Sequence, residues 1–281
     1  MNNLIGAHCF TAGGLETALH TAKKLNVNVI QIFTKNNKQF EAPDISQEIA
    51  NSFSHLAKQL DIMHIFSHSS YLINLAAAKE EIFKRSFSGL INELKRCDQL
   101  GIEFLVLHPG SYKNTTLEVG INNVAKAINE IYANHPNINA KILLENTAGQ
   151  GSQLGYDLQH LQEIRNRLKF KDKVFYCIDT AHLWAAGYEF VNNYQSIIEI
   201  INSTLGLENI KLFHLNDSKT ALGSRVDRHE HIGKGTIGLK GFKFLLNDPN
   251  FSNIPKVIET PKSKTQEEDI ENLKILNSLI E

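Results

Sequence analysis

The sequence KILLENTAGQGSQLGYDLQHLQEIRNRLKFKDKVFYCIDTAHLWAAGY, residues 141–188, contains two short apolar runs separated by an amphipathic segment. The apolar runs predict strands over Lys141–Glu145 and Val174–Asp179, and the segment between them predicts a helix over Asp157–Leu168. A strand, a helix and a second strand in this order form one unit of a parallel sheet covered by helices.

The same alternation extends in both directions along the chain. Six further runs predict strands over Leu4–His8, Val27–Phe33, Ile62–His68, Phe104–His108, Ile210–His214 and Lys256–Glu259. Amphipathic segments predict helices over Gly14–Leu25, Ile45–Leu60, Lys79–Leu100 and Leu117–Ala133, and TQEEDIENLKILNSLI predicts a closing helix from Thr265. Eight strands alternating with helices predict a single (β/α)8 TIM barrel domain over residues 1–281. An open doubly wound sheet is the alternative, but no glycine-rich phosphate motif follows an early strand.

The composition limits the compartment and the partners. The 281 residues carry 29 basic and 30 acidic side chains, so the net charge of −1 attracts neither nucleic acid nor an anionic membrane to the molecule as a whole. An anionic partner would therefore need a local basic patch. Three widely spaced cysteines imply no disulfide framework, and no signal segment or membrane span is recognisable. We expect a monomeric cytoplasmic protein with no membrane partner.

Polar, chemically active residues stand at the ends of the predicted strands. The strands close on His8, Thr34, His68, His108, Glu145, Asp179, His214 and Glu259. The carboxyl ends of barrel strands converge on one face, so the last six would meet around one site. Each of these six follows an apolar residue two positions back, as expected for a side chain that points inward. Imidazoles and carboxylates together suit zinc, manganese or iron.

Neighbouring loops add three further candidate ligands. His182 lies three residues beyond Asp179, and Asp227 and His229 are two residues apart. Nine candidates are too many for one tetrahedral ion. If one carboxylate bridges, nine ligands suit two or three metal ions, an arrangement that clamps a phosphoryl group during in-line displacement.

Eight motifs then point to a family. HCFTAGGLETA, FTKNNKQF, SHSSYLINLA, LHPGS, ENTAGQG, IDTAHLWAAGY, HLNDSKTALGSRVDRHEHIG and ETP, in this order between about residues 5 and 261, strongly resemble the endonuclease IV family of apurinic/apyrimidinic (AP) endonucleases. The resemblance implies a TIM barrel with three zinc ions that hydrolyses double-stranded DNA 5′ to an abasic site during base excision repair. The products would be a 3′-hydroxyl and a 5′-deoxyribose phosphate.

The resemblance also assigns roles to residues. It implies that one zinc ion is held by His68, His108 and Glu145, a second by Glu145, Asp179, His214 and Glu259, and a third by His182, Asp227 and His229. Glu145 would bridge the first two ions and be essential for catalysis.

Loop residues are the candidates for DNA contact. We predict that Lys38, Tyr71, Leu72, Arg225 and Arg228 bind DNA, with Lys35 and Lys219 as further cations of a phosphate patch. The Tyr-Leu pair would wedge into a base step. Lys38 and Phe40 stand where family members commonly have Arg and Trp, which predicts weaker phosphate contact and stacking.

Two other functions fit parts of the pattern. A barrel sugar isomerase or epimerase would also gather Glu, Asp and His at strand ends, but it would favour Mg²⁺ or Mn²⁺ and oxygen-rich ligands. Five candidate histidine ligands argue against it. A damage-binding protein that does not cut DNA would need no complete ligand set. Two alternatives remain for His8: it lies next to the metal ligands or the substrate, or it is a histidine of the core.

Overall fold

The computed structural model describes residues 4–281 and contains a closed barrel of eight parallel strands. The barrel order is β1 (Ile5–His8), β10 (Lys256–Ile258), β7 (Ile210–His214), β6 (Val174–Asp179), β5 (Lys141–Glu145), β4 (Phe104–Leu107), β3 (His64–His68) and β2 (Val29–Ile32). The predicted TIM barrel is confirmed. The predicted bounds of β5, β6 and β7 are met, and those of the other five strands differ by one or two residues at one end or, for β2, at both ends.

Helices cover the outside of the barrel. They are α1 (Leu15–Leu25), α2 (Gln47–Gln59), α3 (Glu80–Leu100), α4 (Leu117–Asn134), α5 (Leu158–Asn166), α6 (Thr180–Ala186), α7 (Tyr194–Leu205), α8 (Gly238–Asn247) and α9 (Glu267–Ser278). Polar side chains start several of them: Ser46, Thr116 and Asp157 each accept a hydrogen bond from a first-turn amide. The closing helix α9 begins at Glu267, two residues after the predicted start at Thr265.

The barrel interior is a separate apolar layer. It consists of Val29, Phe66, Val106, Leu143, Cys177, Leu212 and Val257, all buried, whereas a larger apolar layer lies between strands and helices. Six of these seven residues precede a candidate ligand by two positions, so the two-residue period carries each candidate to the mouth. On β2 the residue two positions beyond Val29 is Gln31, which is buried. The prediction that Thr34 closes this strand is wrong, because β2 ends at Ile32.

A short antiparallel hairpin adds to the mouth of the barrel. β8 (Asp217–Ser218) pairs with β9 (His229–Glu230), and the loop between them carries Arg225, Asp227 and Arg228. The buried Asp217 carboxylate accepts hydrogen bonds from the amides of residues 218, 233, 235 and 237. Gly235 is required here, because a Cβ would collide with that carboxylate. No helix within residues 4–281 is long and apolar enough to cross a membrane.

Candidate metal centre

The structure brings the predicted ligands together at the carboxyl ends of the strands. Three groups have ligand atoms within 4.8 Å of one another: His68, His108 and Glu145; Glu145, Asp179, His214 and Glu259; and Asp179, His182 and His229. The ninth candidate, Asp227, places Oδ2 3.2 Å from His182 Nε2 and Oδ1 3.5 Å from His229 Nε2. All nine residues therefore lie in one cluster, and which of them bind a metal stays a prediction.

Glu145 lies between two of these groups. Its Oε2 is 3.3 Å from His68 Nε2 and 3.0 Å from His108 Nε2. Its Oε1 is 3.0 Å from His214 Nδ1 and 3.3 Å from His182 Nδ1. The carboxylate ends β5 and is fully buried. One oxygen faces each group, which is the arrangement that a bridging carboxylate requires.

Main-chain carbonyls orient three of the imidazoles. Nδ1 of His68 lies 2.7 Å from Ser69 O, that of His182 lies 3.0 Å from Asn146 O, and that of His229 lies 3.2 Å from Glu259 O. A carbonyl oxygen only accepts, so Nδ1 carries the proton in each ring. Nε2 is then the nitrogen available to a metal ion, and it faces the carboxylates of the cluster. This is the tautomer that a metal ligand needs.

The charge balance of the cluster calls for cations. Within residues 4–281, the ion-pair partners of Glu145, Asp179 and Glu259 are all histidines. Burial alone would lower the pKa of His214, but Cys177, Glu259 and Glu145 outweigh it and hold that pKa well above its usual range. Buried carboxylates of this density need a compensating positive charge.

Unsatisfied atoms support the same conclusion. Among the described residues, Glu145 Oε2 and His229 Nε2 are buried without a hydrogen bond. Both point at other candidate ligands, at the distances given above. Buried polar atoms without partners are uncommon in folded proteins. Together with the imidazole and carboxylate donors, these atoms fit divalent cations of the zinc type.

Asparagine side chains hold Asp179 in place. Asn216 Nδ2 donates to Asp179 Oδ2 at 2.6 Å, and Asn216 Oδ1 accepts from the Glu259 amide at 2.7 Å. On the other side of Asp179, Asn146 Oδ1 accepts a hydrogen bond from the Asp179 amide at 2.7 Å. The remaining oxygen, Asp179 Oδ1, accepts from the His182 amide at 2.7 Å and begins α6. His182 therefore lies on a helix, and the prediction of a loop position is wrong.

Sequence reasoning missed Asn216 and Gln31. Asn216 follows the strand-end residue His214 by two positions, so the two-residue period could have identified it. The predicted strand extends beyond Ile32, so its closing position does not indicate Gln31. His8 lies beside the site: its Nδ1 is 3.4 Å from Glu259 Oε1, and burial lowers the pKa of His8 to about 4 although Glu259 opposes the effect.

Comparison with known proteins identifies the family. A family model described as "Xylose isomerase-like TIM barrel" matches residues 19–278. The chain is 42% identical over 281 residues to a protein of Citrifermentans bemidjiense named probable endonuclease 4, and the match covers 99% of each chain. The chain belongs to the endonuclease IV family. The predicted family, and with it the prediction of a hydrolytic enzyme, is confirmed.

Solved structures agree with this family. Endonuclease IV from Thermus thermophilus superposes with a TM-score of 0.86 at 30% identity, covering 98% of both chains. A D-tagatose 3-epimerase-like protein superposes with a TM-score of 0.71 at 18% identity, covering 98% of this chain and 96% of that one. The second likeness shows a shared barrel and nothing about chemistry.

In this endonuclease IV family chain, the residues predicted to contact DNA are exposed, and Tyr71 lies beside the site. Tyr71 is 64% exposed, and its ring lies 5.5 Å from that of His68; Leu72 beside it is also exposed. Lys38, Arg225 and Arg228 are exposed as well. The Arg225 guanidinium lies 4.2 Å above the Tyr156 ring. These positions leave the five residues accessible, and contact with DNA stays a prediction.

Two other residues of the loop after β2 are held by contacts within the chain. Lys35 is buried, with Nζ 2.8 Å from Glu93 Oε1, so its place in the phosphate patch is wrong. Phe40 is half-buried against α3, with the Arg85 guanidinium 4.5 Å above its ring. Its partner is therefore a helix of the same chain.

Proposed function

We propose that this chain is a zinc-dependent AP endonuclease. It hydrolyses the phosphodiester 5′ to an abasic site in double-stranded DNA, leaves a 3′-hydroxyl and a 5′-deoxyribose phosphate, and acts as a cytoplasmic monomer in base excision repair. The observation that carries the proposal is Glu145, whose two oxygens face two adjoining ligand groups in a member of the endonuclease IV family.

The nine clustered residues would hold three zinc ions. Their distribution would be the one that the family resemblance implies, with Glu145 shared and with His182, Asp227 and His229 around the third ion. When bound, zinc lowers the pKa of a water molecule towards neutrality and offsets charge on the oxygens of a phosphoryl group. The protein supplies the fixed geometry, since the ligands stand on strand ends and Asn146 and Asn216 restrain Asp179.

A small cavity beside the cluster would receive the abasic sugar. It has a volume of ≈ 230 Å³ and is lined by His68, Tyr71, Asn74, His108 and Asp227, among others. This lies below the roughly 300 Å³ at which pockets for drug-sized ligands begin, so it suits a sugar that has lost its base. A sugar can reach a pocket at the mouth of a barrel only if it leaves the base stack. An abasic nucleotide has lost most of the stacking that opposes this step.

The rim would hold the flanking duplex. A net charge of −1 requires the exposed cations Lys38, Arg225 and Arg228 to act locally on phosphates. The exposed pair Tyr71 and Leu72 stands next to the cavity and would fill the gap where the base is missing.

A cleavage assay combined with metal analysis tests the proposal. Purified protein is incubated with an end-labelled duplex containing one abasic site and with the same duplex carrying an intact base. Cleavage of the abasic duplex alone, with a 3′-hydroxyl product and close to three zinc ions per chain by plasma emission, is the expected result. A single ion, or dependence on magnesium without zinc, would favour a sugar isomerase. Selective binding without cleavage would favour a damage-binding protein.

A further inference from the structure

Gln31 is a buried side chain that joins three members of the site. It lies on β2, and its side-chain amide contacts a residue of β1, a residue of β7 and the residue that directly follows β10. Gln31 Nε2 is 2.6 Å from Glu259 Oε1 and 3.0 Å from His8 Nδ1. Gln31 Oε1 is 2.8 Å from His214 Nε2. The other three residues of β2 are Val29, Ile30 and Ile32, whose apolar side chains form no hydrogen bond.

The carboxylate of Glu259 determines which way the amide points. An ionised carboxylate only accepts hydrogen bonds, so the atom of Gln31 at 2.6 Å must be the nitrogen. The opposite orientation would place two oxygens at that distance. The two amide hydrogens then serve Glu259 Oε1 and His8 Nδ1, and the amide oxygen faces His214.

The amide oxygen in turn determines the tautomer of His214. An amide oxygen only accepts, so His214 Nε2 must carry a proton to make the 2.8 Å contact. The ligand atom of His214 is then Nδ1, which lies 3.0 Å from Glu145 Oε1 and 3.2 Å from Glu259 Oε2. Nδ1 therefore points into the group formed by Glu145, Asp179, His214 and Glu259.

His214 differs from the other oriented imidazoles of the site. His68, His182 and His229 present Nε2 and are oriented by main-chain carbonyls, which no substitution removes. His214 presents the opposite nitrogen and is oriented by a side chain. Its tautomer therefore depends on the residue at position 31, and a substitution can test it.

We propose that Gln31 is a positioning residue that holds His214 in its Nε2–H tautomer and Glu259 in place, so that the group shared by Glu145, Asp179, His214 and Glu259 binds its metal ion tightly. The proposal rests on the proposed function, because it assumes that this group is occupied by zinc. It assigns to Gln31 no contact with DNA and none with the reacting atoms. Residues that orient a metal ligand typically contribute about 10–100-fold to metal affinity.

Two variants and one control test this role. Gln31→Met keeps a similar size but removes both the acceptor for His214 and the donor for Glu259. Gln31→Glu keeps an acceptor opposite His214 Nε2. Gln266→Met is the matched control: Gln266 is also buried, and its amide binds His8 O and Asp269 without touching the four ligands of the group.

The measurements are zinc retention against a chelator and the imidazole tautomer from long-range proton–nitrogen NMR of the zinc-loaded protein. In Gln31→Met we expect one of three zinc ions to bind about 10–100-fold more weakly, while the other two and all three in Gln266→Met stay as in wild type. The His214 Nε2–H signature should persist in Gln31→Glu and be lost in Gln31→Met. A fold defect alone would weaken the binding of all three zinc ions, and it would not give the two variants different His214 tautomers.

Different outcomes overturn the two proposals. If wild type holds three zinc ions and Gln31→Met retains them equally well with an unchanged His214 tautomer, the role of Gln31 is refuted while the proposed function stands. If wild type holds no zinc, both are refuted.

Discussion

Lys35 Nζ lies 2.8 Å from Glu93 Oε1, and the two side chains are 2% and 1% exposed. The same carboxylate oxygen accepts from the Ser70 amide at 2.9 Å, and Lys35 Nζ donates to Gln39 O at 2.6 Å. Glu93 stands on α3, so this ion pair ties the loops after β2 and β3 to one helix. Those two loops carry Lys38 and the Tyr-Leu pair of the proposed DNA surface.

Glu93→Gln should therefore destabilise the fold. The change leaves the Lys35 ammonium buried without its counter-charge, and loss of one partner from such a pair costs about 3–5 kcal/mol. The free energy of unfolding from urea titration measures it. Glu80→Gln is the control, because Glu80 and Lys84 form an exposed pair at 2.6 Å that should contribute little. Equal effects of the two substitutions would show that the buried pair is not special.

Glu145→Gln should nearly abolish cleavage of an abasic duplex and leave DNA binding measurable. The substitution removes the negative charge that the group of His68, His108 and Glu145 shares with the group of Glu145, Asp179, His214 and Glu259, while the exposed rim remains as it is. Single-turnover cleavage and fluorescence anisotropy separate the two effects. Glu103→Gln, at the opposite end of the barrel and paired with Lys141, is the control and should cleave normally. Wild-type cleavage by the Glu145 variant would disprove the shared role.

Much of the fold and site followed from the two-residue period of the strands. β5, β6 and β7 are buried on both faces, so their apolar runs are sharply bounded and their last residues reach the mouth as predicted. β2 ends earlier than predicted, because the aromatic Phe33 and the β-branched Thr34 extend the run of strand-forming residues beyond Ile32. The prediction therefore places the end of the strand at Thr34 and passes over Gln31.

Lys35 shows a second limit of the sequence. A lysine in a loop is usually exposed, and nothing near position 35 reports a buried partner. The partner, Glu93, lies on the third helix, and only the packing of α3 against the loop brings the two together. The tautomers of the site depend on such non-local contacts in the same way.

Lys256 should make stability depend on pH in the alkaline range. Its side chain is buried at the start of β10 and donates to Phe251 O and Ile254 O at 2.7 Å. Burial lowers the pKa of Lys256 from its usual 10.5 to about 8. Between these values the unfolded chain binds more protons than the folded one, so this group makes stability rise with pH from about 8 to 10.5. Below pH 8 the cost of charging the buried amine is fully present.

The measurement is the free energy of unfolding of wild type minus that of Lys256→Met at several pH values. Subtraction is needed because burial raises the pKa of the Cys9 thiol to about 12, which makes stability fall with pH in both proteins. The difference should grow by up to about 3 kcal/mol across the window. A difference that stays flat would show that Lys256 is not desolvated in solution.

Lys38→Ala and Tyr71→Ala should weaken DNA binding in two distinguishable ways. Lys38 is an exposed cation, so its loss should reduce the slope of log affinity against log salt by about 0.9 and weaken abasic and intact duplexes alike. Tyr71 is exposed and uncharged beside the cavity. Its loss should remove about 1–3 kcal/mol of discrimination for the abasic duplex with little change in slope. The control for charge is Lys58→Ala, because Lys58 is an exposed lysine at the far end of α2.

Titration of both duplexes at several salt concentrations yields the slope and the discrimination together. If Lys38→Ala left the slope unchanged and Tyr71→Ala left discrimination unchanged, DNA would not cross the loops after β2 and β3, even with the metal centre correctly assigned.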